Sequence, residues 1–584
     1  MADQPVDRDF ESAVSFHRVG KLRQAEELYL QVLRTQPNHQ EALYRLGNVF
    51  QDTKRNREAA AVYRRLLDLN PNFADAQINF GTVQYLLGEY DQALAALRKG
   101  LALSPGQSMG WFRLADVHRV KWDMDETVAA LREAVRIRPD FSDAWANLGT
   151  ALRDMARLDE ALACFDRALA IQPDKVTTDD NRVYSLYYHG QYDPPAIYRE
   201  HLKWNRQHAE PLRNQIQEHR NDRDPERRLR IGYVSPDFRI HCQALFMVPV
   251  LARHDHKNFE IFCYSDVRIP DRMTANIQAF PDHWRSIVGM SDTEVAQLIR
   301  GDKIDILIDL TMHMAAARPL LFARKPAPIQ VAWLAYPGTT GMSVMDYRLT
   351  DPRLDPPGSN DEFYSERSIR LPDTFWCYDP LSTEPPVNEL PALDAGYVTF
   401  GCLNNFCKLN SPWLQVWGKV LAAVPTSRLV LLAPRGSVRQ DVLRELKIDP
   451  GRVDFVELIP RGHYLKRYLG IDLALDTFPY NGHTTSLDAL WMGVPVVSRF
   501  GTTAASRAGL SQSFHVGLTD LVAEDAVGFV RIAVQLANDL PRLAELRRTL
   551  RGRMQQSPLM DAVRFTMNLE AAYRQMWRQW CKSA

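Results

Sequence analysis

The stretch Ile471–Val497, IDLALDTFPYNGHTTSLDALWMGVPVV, decides how the second half of this 584-residue chain is read. It opens on alternating apolar positions, Ile471-Asp472-Leu473-Ala474-Leu475-Asp476, which predict a strand. Turn residues follow at Pro479-Tyr480-Asn481-Gly482. Thr484 and Thr485 then start an apolar-periodic helix, and Val494-Pro495-Val496-Val497 reads as a second buried strand. A strand, a glycine loop and a helix N-terminus with free N–H groups make a cradle for a phosphate or pyrophosphate. Asp488, on the first turn of the helix, is placed to accept from a ribose hydroxyl. A plainer reading exists: Thr485-Ser486-Leu487-Asp488 fits a capping box that only satisfies the helix's orphan donors. His483 and the paired threonines are more polar equipment than a cap requires, and they favour the binding site.

Working outward, strands at Val398–Cys402, Arg428–Leu432 and Val453–Val456 precede this stretch and complete one α/β set. An earlier set runs through Leu229–Ser235, Phe259–Tyr264, Ile304–Asp309 and Ile329–Leu334. Strands alternating with helical stretches predict two parallel, doubly wound sheets with ligands at the strands' carboxyl ends and a cleft between them. The amphipathic segment Asp561–Cys581 predicts a terminal helix that packs back on the first of these domains. Neither GxGxxG nor GxxxxGK[ST] is present, which argues against a dehydrogenase and a P-loop NTPase. No carboxylate pair points to a metal; Asp123-Met124-Asp125 falls inside a repeat and reads as solvated surface.

The first third is periodic. Prolines at 37, 71, 105, 139 and 173 are 34 residues apart, in step with Ala25, Ala59, Ala93, Thr127 and Ala161 and with Ala13, Gly47, Gly81, Ala115 and Gly149. A large, mostly apolar column (Leu43, Gln77, Trp111, Trp145) lies four residues before the second small one. This is the signature of five tetratricopeptide repeats over about residues 4–173, stacked into a superhelix whose concave face holds extended peptides or partner proteins. Dimerisation, or service as a rigid spacer, is the other role open to such an array. Residues 176–228 form a helical transition that ends in EHRNDRDPERR, a charged stretch expected to be an exposed linker. The domain expectation is therefore repeats to 175, the transition to 228, α/β domains over 229–390 and 391–560, and the terminal helix over 561–584.

Composition restricts the class. Lys+Arg and Asp+Glu both total 71, so no overall field points to nucleic acid or a membrane. Seven scattered cysteines without a CxxC pair fit a reducing compartment rather than a zinc site or a disulfide framework. The acidic start MADQPVDRDFE does not read as a signal peptide, and no apolar run reaches the roughly 18 residues that span a bilayer. A cytoplasmic location is the expectation.

The repeats, together with RIGYVSPDFRIH (230–241), RKPAPIQVAWLAYPGTTG (324–341), FGCLNNFCKLN (400–410) and DTFPYNGHTTSLDALWMGVPVV (476–497), resemble the O-linked N-acetylglucosamine transferases and the SPINDLY-like proteins. The resemblance implies a GT-B fold of two Rossmann-like halves. It implies metal-independent, inverting transfer from a nucleotide sugar, most simply UDP-N-acetylglucosamine, to Ser/Thr of intracellular proteins presented by the repeats. No cofactor is implied. By the same resemblance His241 is a catalytic or acceptor-side group and Lys408 contacts the diphosphate. Thr484 and Thr485 bind the pyrophosphate beside His483, Asp488 binds ribose, and Asn405, Arg467 and Tyr464 surround the nucleotide, with Tyr464 where a ring stacks on the base. His313, just past a strand end and so facing the cleft, and Thr340 are expected to touch acceptor or sugar. Cys242-Gln243 depart from the animal pattern, where proline is usual, and Asn404-Asn405 look more like the SPINDLY branch, whose plant members use GDP-fucose, whereas His483 matches the N-acetylglucosamine enzymes. A protein O-fucosyltransferase and a repeat scaffold with little activity are the alternatives.

Overall fold

The computed structural model describes residues 5–583, and the chain divides into two compact units between Leu152 and Arg153. The first unit is built of helix–turn–helix pairs: Pro5–Arg18 with Leu22–Thr35, Gln40–Asp52 with Asn56–Leu69, Ala74–Leu86 with Tyr90–Leu103, and Ser108–Val120 with Met124–Ile137. The small columns are where paired helices touch: Ala25, Ala59 and Ala93 are wholly buried. A Cβ on Gly81 would stand 2.7 Å from Leu97 Cγ and 3.0 Å from the Ala93 carbonyl. The column holding Gln77, Trp111 and Trp145 has a polar purpose as well. Each side chain donates to the carbonyl of the repeat proline six residues earlier: Gln77 to Pro71 at 3.0 Å, Trp111 to Pro105 at 2.8 Å and Trp145 to Pro139 at 3.0 Å. Glutamine can therefore replace tryptophan in that column without losing the bond.

Ser142–Asp154 and Leu158–Ile171 form a fifth pair, and the boundary between the units falls within its first helix rather than after it. The reason is packing. Leu158 and Leu162 enter a core with Val183, Leu186, Tyr187 and Tyr188 of the following helical segment, with Val234 and Phe262 of the first sheet, and with Tyr336 of the loop after the strand Ile329–Ala332.

In the second unit, one sheet contains β1 (Leu229–Ser235), β2 (Phe259–Ser265), β3 (His283–Ser286), β4 (Ile306–Asp309), β5 (Ile329–Ala332), β6 (Tyr347–Thr350) and β7 (Arg367–Arg370), in the order β3-β2-β1-β4-β5-β6-β7. The other contains β8 (Thr399–Cys402), β9 (Arg428–Leu432), β10 (Val453–Val456), β11 (Leu473–Leu475), β12 (Val496–Arg499) and β13 (Val522–Ala523), in the order β10-β9-β8-β11-β12-β13. Every pairing is parallel. In each sheet the order reverses once, between β1 and β4 and between β8 and β11, and such switch points are where doubly wound sheets bind ligands. The loops after these strands carry His241, His313, Lys408 and His483. The strands β3, β6, β7 and β13 give little sequence signal: they are short, and HWRS, YRLT and RSIR carry charges in place of apolar alternation.

The terminal helix Ala562–Lys582 lies against the first sheet. Tyr573 meets Tyr233 hydroxyl to hydroxyl at 3.2 Å, Glu570 pairs with His254 at 2.9 Å, and Phe565 stacks on Trp333. The charged stretch 218–228 is largely exposed, as its composition predicts, but it is tied down at several points. Arg227 donates to the fully buried Asp305 at 2.6 and 2.7 Å, the Asp224 backbone carbonyl accepts from Trp577 Nε1, and Glu226 pairs with Arg578. The charges of Glu226, Arg227 and Arg228 thus have partners on the first sheet, its flanking loop or the terminal helix. Among the described residues no helix is long and apolar enough to cross a membrane.

Two expected cleft residues are structural instead. His313 is 1% exposed; Nδ1 lies 2.7 Å from Asp180 of the helix Val176–Ser185, and Nε2 lies 2.8 Å from the Thr340 carbonyl. Trp204 and His201 close around its ring. Thr340 is wholly buried, and its hydroxyl and backbone N–H both donate to Glu366. Gly341, at φ +73, completes this seam: a Cβ there would come within 2.5 Å of the His201 carbonyl. A loop following a strand end does not have to face the cleft, and here the helical segment covers it. Asp180→Ala, which strands a buried imidazole, is expected to cost about 3–5 kcal/mol of stability. Urea denaturation measures this, and an unchanged midpoint would exclude the clasp.

Candidate functional site

The loop after β8 and the loop after β11 build the site together. Asn410 caps the helix Ser411–Ala423 with its Oδ1 and donates its Nδ2 to the Phe478 carbonyl at 2.6 Å, so the two loops are tied. Within that tie Lys408 extends its Nζ to the Asn481 carbonyl at 2.8 Å and lies 4.4 Å from the centre of the Tyr480 ring. Burial lowers the Lys408 pKa, and the nearby charge of Asp476 opposes that shift. Asp476 is itself pushed up to about 6 by burial, although it accepts bonds from Ser498, Gly482 and Thr477. A lysine held by a carbonyl and an aromatic face keeps its charge available for an incoming anion.

The helix Thr484–Trp491 begins directly after this loop, with His483 at its N-cap in a non-helical conformation and no side-chain capping bond. The Asp488 carboxylate turns away from Thr485, so the capping-box reading fails. Its oxygens bind Arg461 at 2.7 and 3.0 Å and the Tyr378 hydroxyl at 2.7 Å. The first N–H groups of the helix and the two threonines are thus left to serve as an anion cradle. His483 packs on Tyr480 and edge-on to Trp376, and its buried Nε2 has no hydrogen-bond partner among the described residues. Burial, aided by the Lys408 charge, holds its pKa well below the ordinary value, so the ring is neutral.

Arg461, Tyr464 and Tyr468 share one side of the short helix Arg461–Arg467 and the turn after it. Tyr464 and Tyr468 join hydroxyls at 2.8 Å, and Tyr468 donates to the Thr485 carbonyl. Tyr464 is therefore anchored through Tyr468 to the helix Thr484–Trp491. Arg461, which the sequence reading missed, is the direct partner of Asp488. Its i, i+3 relation to Tyr464 was the available signal. Arg467 and Asn405 stand exposed and are not drawn into these contacts.

Across the cleft, His241 follows β1. Its Nδ1 lies 3.7 Å from Asp237 and accepts from the Gln243 N–H at 3.3 Å, while Nε2 lies 3.8 Å from the Cys242 sulfur. Burial works against an imidazolium here, but Cys242 and Asp237 outweigh it and raise the His241 pKa. The Asp488 carboxylate opposes ionisation of the Cys242 thiol, and Cys242 in turn favours the charged form of Lys408, which places the His241 loop opposite the helix N-terminus. His313 and Thr340 lie outside this group.

Two parallel sheets, a helix N-terminus with free N–H groups, a caged lysine and a histidine opposite make a cleft suited to an anionic ligand. The chain belongs to glycosyl transferase family 41, which matches residues 196–389 and 387–569, while tetratricopeptide repeats match 10–72, 47–108, 78–140 and 142–175. It is 42% identical over 415 residues to a Petunia hybrida protein named probable UDP-N-acetylglucosamine–peptide N-acetylglucosaminyltransferase SPINDLY, covering 69% of this chain and 44% of that one. It is 33% identical to the Arabidopsis thaliana protein SEC, which carries the same probable activity in its name, over 61% of this chain and 38% of that one. The chain thus spans less than half the length of these curated relatives. A mutant O-GlcNAc transferase of Thermobaculum terrenum superposes with a TM-score of 0.80 at 35% identity, covering 87% of this chain and 98% of that one.

Cys242 is exposed, Cys581 is partly so, and the other five cysteines are buried. Burial raises a thiol's pKa, but the bond and charge of His241 more than reverse this and lower that of Cys242. Iodoacetamide at neutral pH is expected to modify Cys242 first, and His241→Ala to slow that reaction several-fold, read by peptide mass mapping. Equal rates in the two proteins would refute the pairing.

Proposed function

We propose that the chain is an inverting, metal-independent glycosyltransferase that moves N-acetylglucosamine from UDP-N-acetylglucosamine to Ser/Thr hydroxyls of proteins recruited by its repeats. The observation that carries this reading is the caged Lys408 beside the free N-terminus of Thr484–Trp491. In the reaction the acceptor oxygen bonds to the anomeric carbon from the face opposite the phosphate. The bond from that carbon to the β-phosphate oxygen breaks, and UDP departs with the electron pair. The negative charge that grows on the β-phosphate meets Lys408 and the helix N–H groups, a preorganised stabilisation that needs no divalent ion.

Thr484 and Thr485 hold the pyrophosphate, and the neutral His483 offers its unpartnered Nε2 as a hydrogen-bond group beside it. The Asp488–Arg461–Tyr378 cluster takes the ribose, with Asp488 as acceptor. Tyr464 stacks on the base. His241, on the acceptor side, carries its neutral-ring proton on Nε2, since Nδ1 accepts the Gln243 N–H, and it receives the hydroxyl proton at Nδ1 by exchanging that bond. The second helix of the fifth repeat, Leu158–Ile171, lies in the same compact unit as the cleft, which suits presentation of a polypeptide. All seven cysteines are free thiols, in keeping with action in the cytoplasm. The N-acetylglucosaminyl names of the relatives and the retained His483 weigh against fucosyl transfer.

Calorimetric titration with UDP and GDP in EDTA tests the donor. UDP is expected to bind in preference to GDP, and Lys408→Ala or Asp488→Ala to weaken it roughly 10- to 100-fold, the worth of one charge-assisted bond of about 1.5–3 kcal/mol. Preference for GDP, or UDP binding indifferent to both substitutions, would overturn the assignment.

A further inference from the structure

Beside the donor cradle, on the outer side of the same two loops, lies a second cavity of about 620 Å3. That is inside the range of roughly 300–1,000 Å3 typical of ligand pockets. One wall is the fifth repeat, Ala156–Glu160, with the loop His189–Gln191. The opposite wall is Asn410–Trp413, the Phe478-Pro479 pair and Arg499 at the end of β12. Nothing in the transfer chemistry above uses these side chains.

The cavity has one uncompensated charge. The Arg499 guanidinium lies 4.1 Å from the centre of the Phe478 ring and 5.8 Å from that of Trp413. Its Nε reaches only the Glu524 carbonyl at 3.4 Å, and among the described residues no carboxylate forms an ion pair with it. Burial lowers its pKa, and Asp525 opposes the shift from a distance while capping the next helix through the Gly528 N–H. The acids at the rim are already engaged: Asp159 lies 3.0 Å from His189, and Glu160 accepts from Arg157 at 2.7 Å. A guanidinium pressed on aromatic faces and half removed from water is a strong site for a carboxylate. The proline and aromatic lining suits an extended, proline-containing backbone, and the opposite wall is the turn of the fifth repeat with the start of its second helix.

We propose that this cavity is a docking subsite for an acidic, extended segment of the acceptor polypeptide, with Arg499 binding a glutamate or aspartate side chain. The subsite rests on the reading of the chain as a protein glycosyltransferase. It makes acceptor choice depend on an acidic residue removed from the modified hydroxyl. Its floor shares the loops that hold Lys408, since Asn410 and Phe478 line it while Lys408 and Tyr480 line the donor side.

The test uses the full chain and two fluorescein-labelled ten-residue peptides of proline and serine, one carrying glutamates and the other lysines at the same positions, followed by anisotropy. The glutamate peptide is expected to bind at least tenfold more tightly than the lysine peptide. Arg499→Gln should remove that preference, Arg499→Lys should restore part of it, and UDP titration should be unchanged in both variants, showing that the donor half is intact. Equal binding of the two peptides, or a glutamate preference that survives Arg499→Gln, would overturn the subsite. Loss of the preference in Arg499→Gln from a protein that never binds UDP would uphold the subsite and refute the transferase reading instead.

Discussion

The structure of the second unit depends on keeping Lys408 charged in a place where charge is costly. A buried ammonium without an ion-pair partner would ordinarily lose its proton or its position. Here three things hold it: the Asn481 carbonyl, the face of Tyr480, and the field of Asp476, which itself pays for burial with a raised pKa. None of these alone would suffice. Tyr480 can serve because Tyr188, from the helical segment, packs on its far side. The site's cation is therefore positioned by residues from three regions of the chain.

That dependence explains the apparent excess of buried polar groups between the helical segment and the sheets. Tyr184, Tyr187, Tyr188 and Tyr336 form one aromatic cluster, and the His313–Asp180 pair and the Glu366–Thr340 bonds lie in the same seam. A purely apolar seam would bury as much area but would leave the register of helix against sheet less defined. Directional bonds fix it, and the loops after β1, β8 and β11 inherit that precision.

Much of this was legible in the sequence for identifiable reasons. The 34-residue spacing had to show, because each repeat needs its small residue and its proline in the same place. The central strands showed because burial on both faces demands continuous apolar runs, as in Leu229–Ser235 and Arg428–Leu432. His483, Thr484, Thr485 and Asp488 fall within six residues of sequence, and the fold brings Lys408, 75 residues earlier, up to their loop. What the sequence hid depends on long-range partners. The edge strands have no alternation to read. His313 and Thr340 sit where loops often face a ligand, and only the packing of a helix more than a hundred residues earlier removes them from the cleft. Arg461 is one of many arginines until Asp488 is seen beside it, and the stretch 218–228 looks unstructured until Asp305 and the terminal helix supply its counter-charges.

The central claim is that a caged lysine and a helix N-terminus carry the leaving-group charge in place of a metal. It is tested most directly by measuring transfer from UDP-N-acetylglucosamine to protein serine and threonine, in EDTA and in excess manganese, for the native chain and for Lys408→Ala. The account predicts native rates that do not differ between the two conditions and a loss of at least a hundredfold in Lys408→Ala under both. Transfer abolished by EDTA and restored by manganese, with Lys408→Ala close to native, would contradict it.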